Sequence, residues 1–366
     1  MIYVWLICFL LTISFYYEGF SFSKSSDFVC LNKSDETERN KKCFLFVFFF
    51  VCALLMGLRG VTVGIDTFNY KELYERIADN KFKFIFDENN IKVEKGWLVY
   101  NKLFSYISKN YFAFQIFTAI VFCAGMGKFI YDNCDDVIVG SVIFLGIGIY
   151  CQTFTIMRQY FSVMLVINAW TLLKKGNIVS PLVLWLVAIT FHISAIVFGI
   201  AYVMIALRKN IYIYRALPLI LCLFILNFDS VFEFVIELVG KYTWYSENEN
   251  RIEPGFVQIM WIIIGVISLY MFYKNINDDN YNMSESFFTL LFVMFSFLGK
   301  IVSYMDRLGY YFVPFALIVL PNMTKEIKND LIRTVYICGI YICFIAYFVL
   351  SGFSTPHLEY IPFFIR

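Results

Sequence analysis

CFLFVFFFVCALLMGL (residues 43–58) is an apolar run without a charged side chain, and RGVTVGIDTFNY (residues 59–70) follows it directly. An apolar helix of this length crosses much of a bilayer core, so Arg59 is expected at the membrane surface. Two glycines then allow a tight turn, and residues 66–70 add a carboxylate, a hydroxyl and a phenol. Because arginine holds phosphate by paired hydrogen bonds, this segment is predicted to belong to a reaction site.

Composition places the whole chain in the membrane class. Of 366 residues, 60% are hydrophobic and 16% are charged, whereas about 25% are charged in ordinary soluble domains. Apolar runs recur from end to end, so an all-α, polytopic membrane protein is predicted. The formal net charge of +2 is not concentrated on one segment, which gives no support to nucleic acid as a partner.

The cysteines and histidines do not favour a metal site. The ten cysteines are scattered, no CxxC pair occurs, and His192 and His357 are far apart in sequence. Structural zinc is therefore not expected, and we predict neither a metal nor another cofactor. Residues 1–20 lack a basic start and a cleavage site, so they are interpreted as a retained first span.

Hydropathy predicts about twelve spans, within a range of about 11 to 13, some of them short or broken. They cover residues 2–20, 43–58, 111–131, 137–151, 156–173, 179–191, 193–207, 211–227, 256–273, 286–303, 309–320 and 331–350. As one helix, residues 179–207 would be about 43 Å long, which exceeds a core of about 30 Å. His192 lies at its midpoint, and we therefore predict a break there.

Basic residues predict the orientation. With the N-terminus outside, the lysine-rich segment 21–42 and the basic connections at residues 174–175, 208–209 and 325–328 become cytoplasmic, which fits the positive-inside rule. The segment 59–110 is also rich in lysine and would be external, but its acidic residues nearly offset this charge. The break at His192 is needed for this agreement, since without it every later connection changes sides. Residues 59–110 and 228–255 then form external segments of a single membrane domain covering residues 1–366. The first is predicted to carry an amphipathic helix around residues 94–108.

In this topology several polar residues reach the outer leaflet. They are Arg59, Arg158 with Gln159, His192, and Asp306 with Arg307. Ionisable groups at the edge of a span are costly and usually face a cavity or a pathway. Structural explanations also exist: the arginines can anchor spans at lipid phosphates, His192 can hydrogen-bond between helices, and Asp306 can pair with Arg307.

Two further groups of residues can be interpreted either as part of a reaction site or as purely structural. Asp66 and Thr67 can serve a reaction, or they can cap a helix over residues 69–78. Trp244 stands near several carboxylates in the segment 228–255, which suits the stacking of a sugar. The same tryptophan equally suits the aromatic belt at a membrane surface.

Four short motifs follow one another along the chain. They are Arg59-Gly-x3-Gly-x-Asp66-Thr67-x2-Tyr70, Glu94-x-Gly96-Trp97, Arg158-Gln159 and Phe191-His192-x-Ser194-Ala195. Their order and spacing over residues 43–310 resemble the EpsG family of bacterial membrane proteins. That family comes from exopolysaccharide and capsule loci and is related to Wzy-type repeat-unit polymerases.

The resemblance implies polymerisation of oligosaccharide repeats linked to undecaprenyl pyrophosphate, on the outer face of the bacterial cytoplasmic membrane. Lipid-linked donor and acceptor, membrane lipids and a chain-length regulator are the expected partners. Arg158 and Arg307 are predicted to hold the pyrophosphate, and His192 or Asp66 to act as the base. Arg59 would contact the pyrophosphate or Asp66, and the other predicted substrate contacts are Thr67, Tyr70, Glu94, Gln159, Asp306 and Trp244.

Other functions use similar residues. A metal-dependent transferase of the GT-C type would place acids in an early external loop, as Asp87 and Glu88 could be. An O-antigen-ligase-like transferase differs only in its acceptor. A flippase for lipid-linked oligosaccharides predicts polar residues on both leaflets and an inverted repeat, and the sequence shows no internal repeat. The least specific alternative is a multi-span protein whose arginines only anchor it.

Overall fold

The computed structural model describes residues 2–23, 33–86, 93–207, 211–227, 256–275, 282–301, 305–354 and 359–364. Within these ranges the chain is helical, and its only β-structure is an isolated antiparallel bridge between Arg59 and Pro362. The predicted all-α class is confirmed. It follows from composition, because a helix pairs its own backbone groups where a bilayer offers no water.

The chain divides into two compact units, residues 1–193 with 334–366, and residues 194–333. The first contains α1 (Ile2–Ser23), α2 (Lys33–Leu58), α3 (Thr67–Asp79), α4 (Lys95–Ser105), α5 (Tyr111–Asn133), α6 (Val137–Gly146), α7 (Ile149–Thr155), α8 (Met157–Lys174) and α9 (Val179–Phe191). A 3-10 turn, Phe82–Phe86, lies between α3 and α4.

The second unit contains α10 (Gly199–Leu207), α11 (Ile211–Leu226), α12 (Phe256–Lys274), α13 (Asn282–Ile301), the single turn α14 (Asp306–Gly309) and α15 (Ala316–Glu326). Phenylalanines pack together in this unit: Phe198 stacks on Phe315, and Phe288 packs on Phe315 at a tilt. The last helix, α16 (Asp330–Ser354), belongs for most of its length to the first unit.

Five described helical segments are long and apolar enough to cross a membrane. They are Glu38–Leu58, Tyr111–Asn133, Val257–Lys274, Asn282–Lys300 and Asp330–Leu350, and a bent pair formed by α6 and α7 would make a sixth. Four apolar helices are shorter: Ile2–Tyr17, Val179–Phe191, Ile193–Leu207 and Tyr212–Phe224. The protein is thus a membrane protein, and the predicted count of about twelve spans is not confirmed.

Several boundaries differ from the prediction. Residues 137–151 do not form one helix, because the chain bends by 43° between α6 and α7 and Gly148 adopts a left-handed φ of 93°. The predicted span 309–320 is wrong in its bounds, since α15 begins only at Ala316 and continues to Glu326. The break at His192 is confirmed: α9 ends at Phe191, and His192 is extended.

The predicted external segment 59–110 carries α3 and α4. Helix α4 corresponds to the amphipathic helix predicted over residues 94–108, and its Trp97 and Leu98 are fully buried. Leu103 near the end of α4 and Ile107 just after it are exposed. The second predicted external segment, residues 228–255, lies outside the described residues, and so does Trp244.

Helices α2 and α5 run antiparallel in close contact. Gly57 allows this approach, because a Cβ atom there would lie 3.0 Å from the Cα atom of Ile116. The Gln115 side chain then donates to the backbone oxygens of Gly57 and Arg59, each at 2.8 Å. These bonds satisfy carbonyls that the end of α2 leaves unpaired.

A C-terminal segment, residues 359–364, covers the end of α2. The amide of Gly60 donates to the Ile361 oxygen at 2.6 Å, and the amide of Phe363 donates to the Leu58 oxygen at 2.9 Å. The Phe363 ring stacks on Phe112 with centroids 4.2 Å apart. The end of α2 and the segment after α16 therefore lie at the same membrane face.

Candidate functional site

The site begins at a break between α7 and α8. Ile156 leaves helical geometry, with φ −112° and ψ 53°, and Arg158 follows as the second residue of α8. The hydroxyl of Thr67 lies 2.7 Å from the Val63 oxygen and 3.1 Å from the oxygen of Phe154. One side chain of the 59–110 segment thus bonds a carbonyl beside the break.

Gly64 brings the 59–110 segment onto the same carbonyl. Its φ is 90°, and a Cβ atom there would stand 2.0 Å from the Phe154 oxygen. Any other residue would have to push the two backbones apart. The next helix begins at Thr67, yet Asp66 makes no side-chain capping bond. The interpretation of Asp66 as an ordinary helix cap is therefore wrong in this structure, and its carboxylate is available for other contacts.

Arg158 forms an ion pair with Glu94, the residue that precedes α4. About a quarter of each side chain is exposed, 25% for Arg158 and 23% for Glu94, so solvent reaches the pair. The second Glu94 oxygen accepts from the amide of Ile193 at 3.4 Å, next to the break at His192. One carboxylate thereby links α8, α4 and the end of α9.

Gly96 explains how α4 comes so close to α9. A Cβ atom at Gly96 would lie 2.1 Å from the hydroxyl oxygen of Thr190. Trp97 packs beside it against Phe191, with centroids 6.2 Å apart. The motif that contains Glu94 and Gly96 therefore has a physical basis. Glu94 holds Arg158, and Gly96 permits the close contact of α4 with α9 that positions Glu94.

Tyr70 completes the cluster. The positive charge of Arg158 acts on its phenol, and its ring packs on Trp97 with centroids 5.9 Å apart. Burial raises the pKa of Tyr70, with Arg158 opposing the rise and the Asp66 carboxylate adding to it. Tyr70 is thus a neutral phenol between a guanidinium and a carboxylate, able to donate one proton to a ligand.

Arg59 does not open onto this cluster, contrary to its prediction as a substrate contact. It is fully buried, with its guanidinium on the Met56 oxygen, the Met157 sulfur and the face of Phe154. Its Nε atom has no hydrogen-bond partner. Burial lowers the pKa of Arg59, and nearby phenols such as Tyr111 oppose this, but a guanidinium stays charged. A cation at the end of α2 also offsets the helix dipole.

The model of the EpsG family matches residues 42–365. The chain belongs to the EpsG family. This is a family of Wzy-type polymerases. No curated protein and no solved structure matches the chain.

In this EpsG family member the first unit brings together Asp66, Thr67, Tyr70, Glu94, Arg158 and His192 through the contacts described above. Gln159 lies beside Arg158 and is almost fully buried. Arg307 and Asp306 lie in the second unit, where Asp306 accepts from the hydroxyl of Tyr310 at 2.7 Å. The roles predicted for Arg307 and Asp306 stay predictions.

Sequence reasoning missed two groups of this EpsG family site, the carbonyl of Phe154 and the amide of Ile193. Neither is visible in a side-chain pattern, because both are backbone groups freed by a helix end. The glycines that face them were visible. Gly64 and Gly96 stand in the motifs, and close packing against a backbone is a common reason for glycine.

Substitution of Gly64 by alanine tests the docking of the segment. Gly176 is the matched control, since its φ is 84° and nothing lies within 4 Å of its Cβ position. Gly176→Ala should cost about 1–2 kcal/mol of unfolding free energy from backbone strain alone. Gly64→Ala should cost about 1–3 kcal/mol more, because it also overpacks the Phe154 carbonyl.

The measurement is the thermal unfolding of both variants in the same detergent. Equal melting temperatures for the two variants would contradict the close contact between Gly64 and Phe154.

Proposed function

We propose that this protein joins lipid-linked oligosaccharide repeats into a polysaccharide at the outer face of the bacterial cytoplasmic membrane. The observation that carries the proposal is the ion pair of Arg158 with Glu94, next to the break at His192. The charge of Arg158 also acts on the phenol of Tyr70. Membership of the EpsG family supports the same reaction class. The predicted orientation, with basic connections in the cytoplasm, supports the outer face.

The reaction is a glycosyl transfer. A hydroxyl oxygen of the acceptor repeat attacks the anomeric carbon of the growing glycan, and the bond from that carbon to the pyrophosphate oxygen breaks. The acceptor proton passes to a base, while undecaprenyl pyrophosphate leaves with the extra negative charge. The protein must therefore bind a polyanion that becomes more negative and accept one proton.

Arg158 is suited to the leaving group. Its planar guanidinium can donate two parallel hydrogen bonds to a phosphate, which an ammonium group cannot do. Without ligand, Glu94 neutralises and orients this guanidinium. A pyrophosphate carries more charge than one carboxylate, so it can replace Glu94 as the partner of Arg158. This role for Glu94, as a counter-ion, replaces the sugar contact expected from sequence.

Tyr70 is assigned to the same leaving group. A neutral phenol donates one hydrogen bond, and the charge of Arg158 acts on the phenol of Tyr70. Donors fixed in place before the reaction stabilise charge that develops in the transition state. Arg59 is assigned an indirect role, a fixed positive charge behind Tyr70 that raises the potential without touching the ligand.

The base is assigned to His192 or Asp66. His192 is an extended, half-buried residue between α9 and the following turn. It is next to Ile193, whose amide donates to Glu94. Asp66 is half-buried near Tyr70 and makes no capping bond. Imidazole and carboxylate are both side chains that act as general bases.

Arg158→Ala should stop polymer formation and leave single-repeat products, because the leaving group loses its main cation. A loss of about 10²–10³ in rate is expected for one such donor. Arg158→Lys should restore little activity, since lysine cannot make the paired contact. The measurement is the ladder of glycan lengths made by membranes that contain equal amounts of folded protein.

Arg76→Ala is the control for Arg158→Ala. Arg76 is an exposed arginine on α3, and it lies over the Phe84 ring at 5.9 Å. It should give the normal ladder. A normal ladder from Arg158→Ala would sink the assignment of this arginine.

Tyr70→Phe should lower kcat and kcat/KM together, by about a hundredfold, because a donor used in the transition state is lost. Tyr74→Phe is a matched control on the same helix: its hydroxyl donates to the Ser108 oxygen at 2.6 Å, away from Arg158. Initial rates are measured with a lipid-linked repeat as the substrate. Equal rates for the two variants would rule out a part for the Tyr70 hydroxyl in the reaction.

A further inference from the structure

An apolar groove of about 510 Å³ runs along the contact of α2 and α5. Its walls include Leu45, Phe49 and Ala53 from α2, and Ile120 and Ala124 from α5. The groove is open to the surroundings, since Phe46 at its edge is 72% exposed and Ile120 is 53% exposed. For a membrane protein this side faces lipid, so the occupant should be apolar over most of its length.

The length of the groove corresponds to one leaflet. At about 1.5 Å per residue, the lining from Ile116 to Lys128 is about 18 Å long. Half of a hydrocarbon core of about 30 Å is about 15 Å. An acyl chain of a phospholipid reaches over this depth, from the membrane surface to the bilayer centre.

One end of the groove is cationic. Of the residues that line it, Lys128 alone is charged, and its side chain is 57% exposed. Lys42 lies one helical turn before Leu45 on α2 and is equally exposed. These two lysines and Lys175 share the carboxylates of Glu38 and Asp132, so one positive charge remains. A phosphate group at this end would be attracted.

The cationic end is the end remote from the candidate site. At the other end, Ile116 adjoins Gln115, which bonds the end of α2 beside Arg59. A lipid in the groove with its phosphate at Lys128 therefore belongs to the leaflet opposite Arg158. This separates the occupant from the lipid-linked substrate, whose pyrophosphate has to reach the other face.

We infer that the groove binds an anionic phospholipid of the leaflet opposite the candidate site, with an acyl chain between α2 and α5 and its phosphate at Lys128. A helix of a second protein, about 10 Å in diameter, occupies about 1,400 Å³ over about 18 Å of length and could enter the groove only in part, whereas an acyl chain fits within it. The inference does not rest on the proposed polymerase function.

The test is native mass spectrometry of the full chain in detergent, titrated with phosphatidylglycerol or with phosphatidylcholine. The wild-type protein should bind phosphatidylglycerol more tightly. Lys128→Gln should weaken phosphatidylglycerol binding about fivefold, as expected for one lysine at a lipid phosphate, and leave phosphatidylcholine unchanged. Ala124→Phe should fill the groove and weaken the binding of both lipids.

Two controls accompany these variants. Lys109→Gln removes a lysine at the opposite end of α5 that is likewise paired, with Asp79 at 3.2 Å, and it should bind as the wild type does. Val203→Phe adds a ring at an exposed position outside the groove. Equal phosphatidylglycerol affinity in Lys128→Gln and Lys109→Gln would overturn the inference. Lipid binding by Ala124→Phe equal to that of the wild-type protein would also overturn it. A further contradiction would be a dimer of the wild-type protein that the Ala124→Phe substitution dissociates.

Discussion

A backbone carbonyl at the end of a helix needs a partner, and the carbonyl of Phe154 is the one around which the site is built. It lies beside the break between α7 and α8, where the helical bond pattern stops. Thr67 supplies a hydroxyl to it, and Gly64 lets the 59–110 segment come close enough to do so. Unpaired polar groups are costly away from water, so this contact holds the segment on the helices.

The position of the polar side chains follows from that contact. With the segment docked, α3 presents Tyr70 to the start of α8, and α4 begins with Glu94 opposite Arg158. Arg59 stays behind this group, buried beneath the C-terminal segment and charged. A polyanion such as pyrophosphate then suits this group of side chains. Tyr70 offers a neutral phenol, Arg158 a guanidinium whose partner can be replaced, and Arg59 a fixed positive charge. The chain belongs to a family of Wzy-type polymerases, and the proposed reaction uses each group.

The sequence predicted those parts of the fold that depend on local pattern. The helical class, the amphipathic helix and the break at His192 follow from hydropathy, helix length and the cost of a polar side chain in a membrane. The start of α8 at Met157 lies within one residue of the predicted span 156–173. The bend at Gly148 was not predicted, because apolar runs on both sides conceal a change of backbone direction. The burial of Arg59 was not predictable either. It depends on Pro362 and its neighbours, which lie far away in sequence and pair through backbone groups.

The proposed chemistry depends on Arg158 exchanging Glu94 for the pyrophosphate of the substrate. The most direct test is an experimental structure of the protein with undecaprenyl pyrophosphate bound. Phosphate oxygens should then lie within hydrogen-bond distance of the Arg158 guanidinium and the Tyr70 hydroxyl, with the Glu94 carboxylate moved away. A bound pyrophosphate at another place, with the Arg158–Glu94 pair intact, would contradict it.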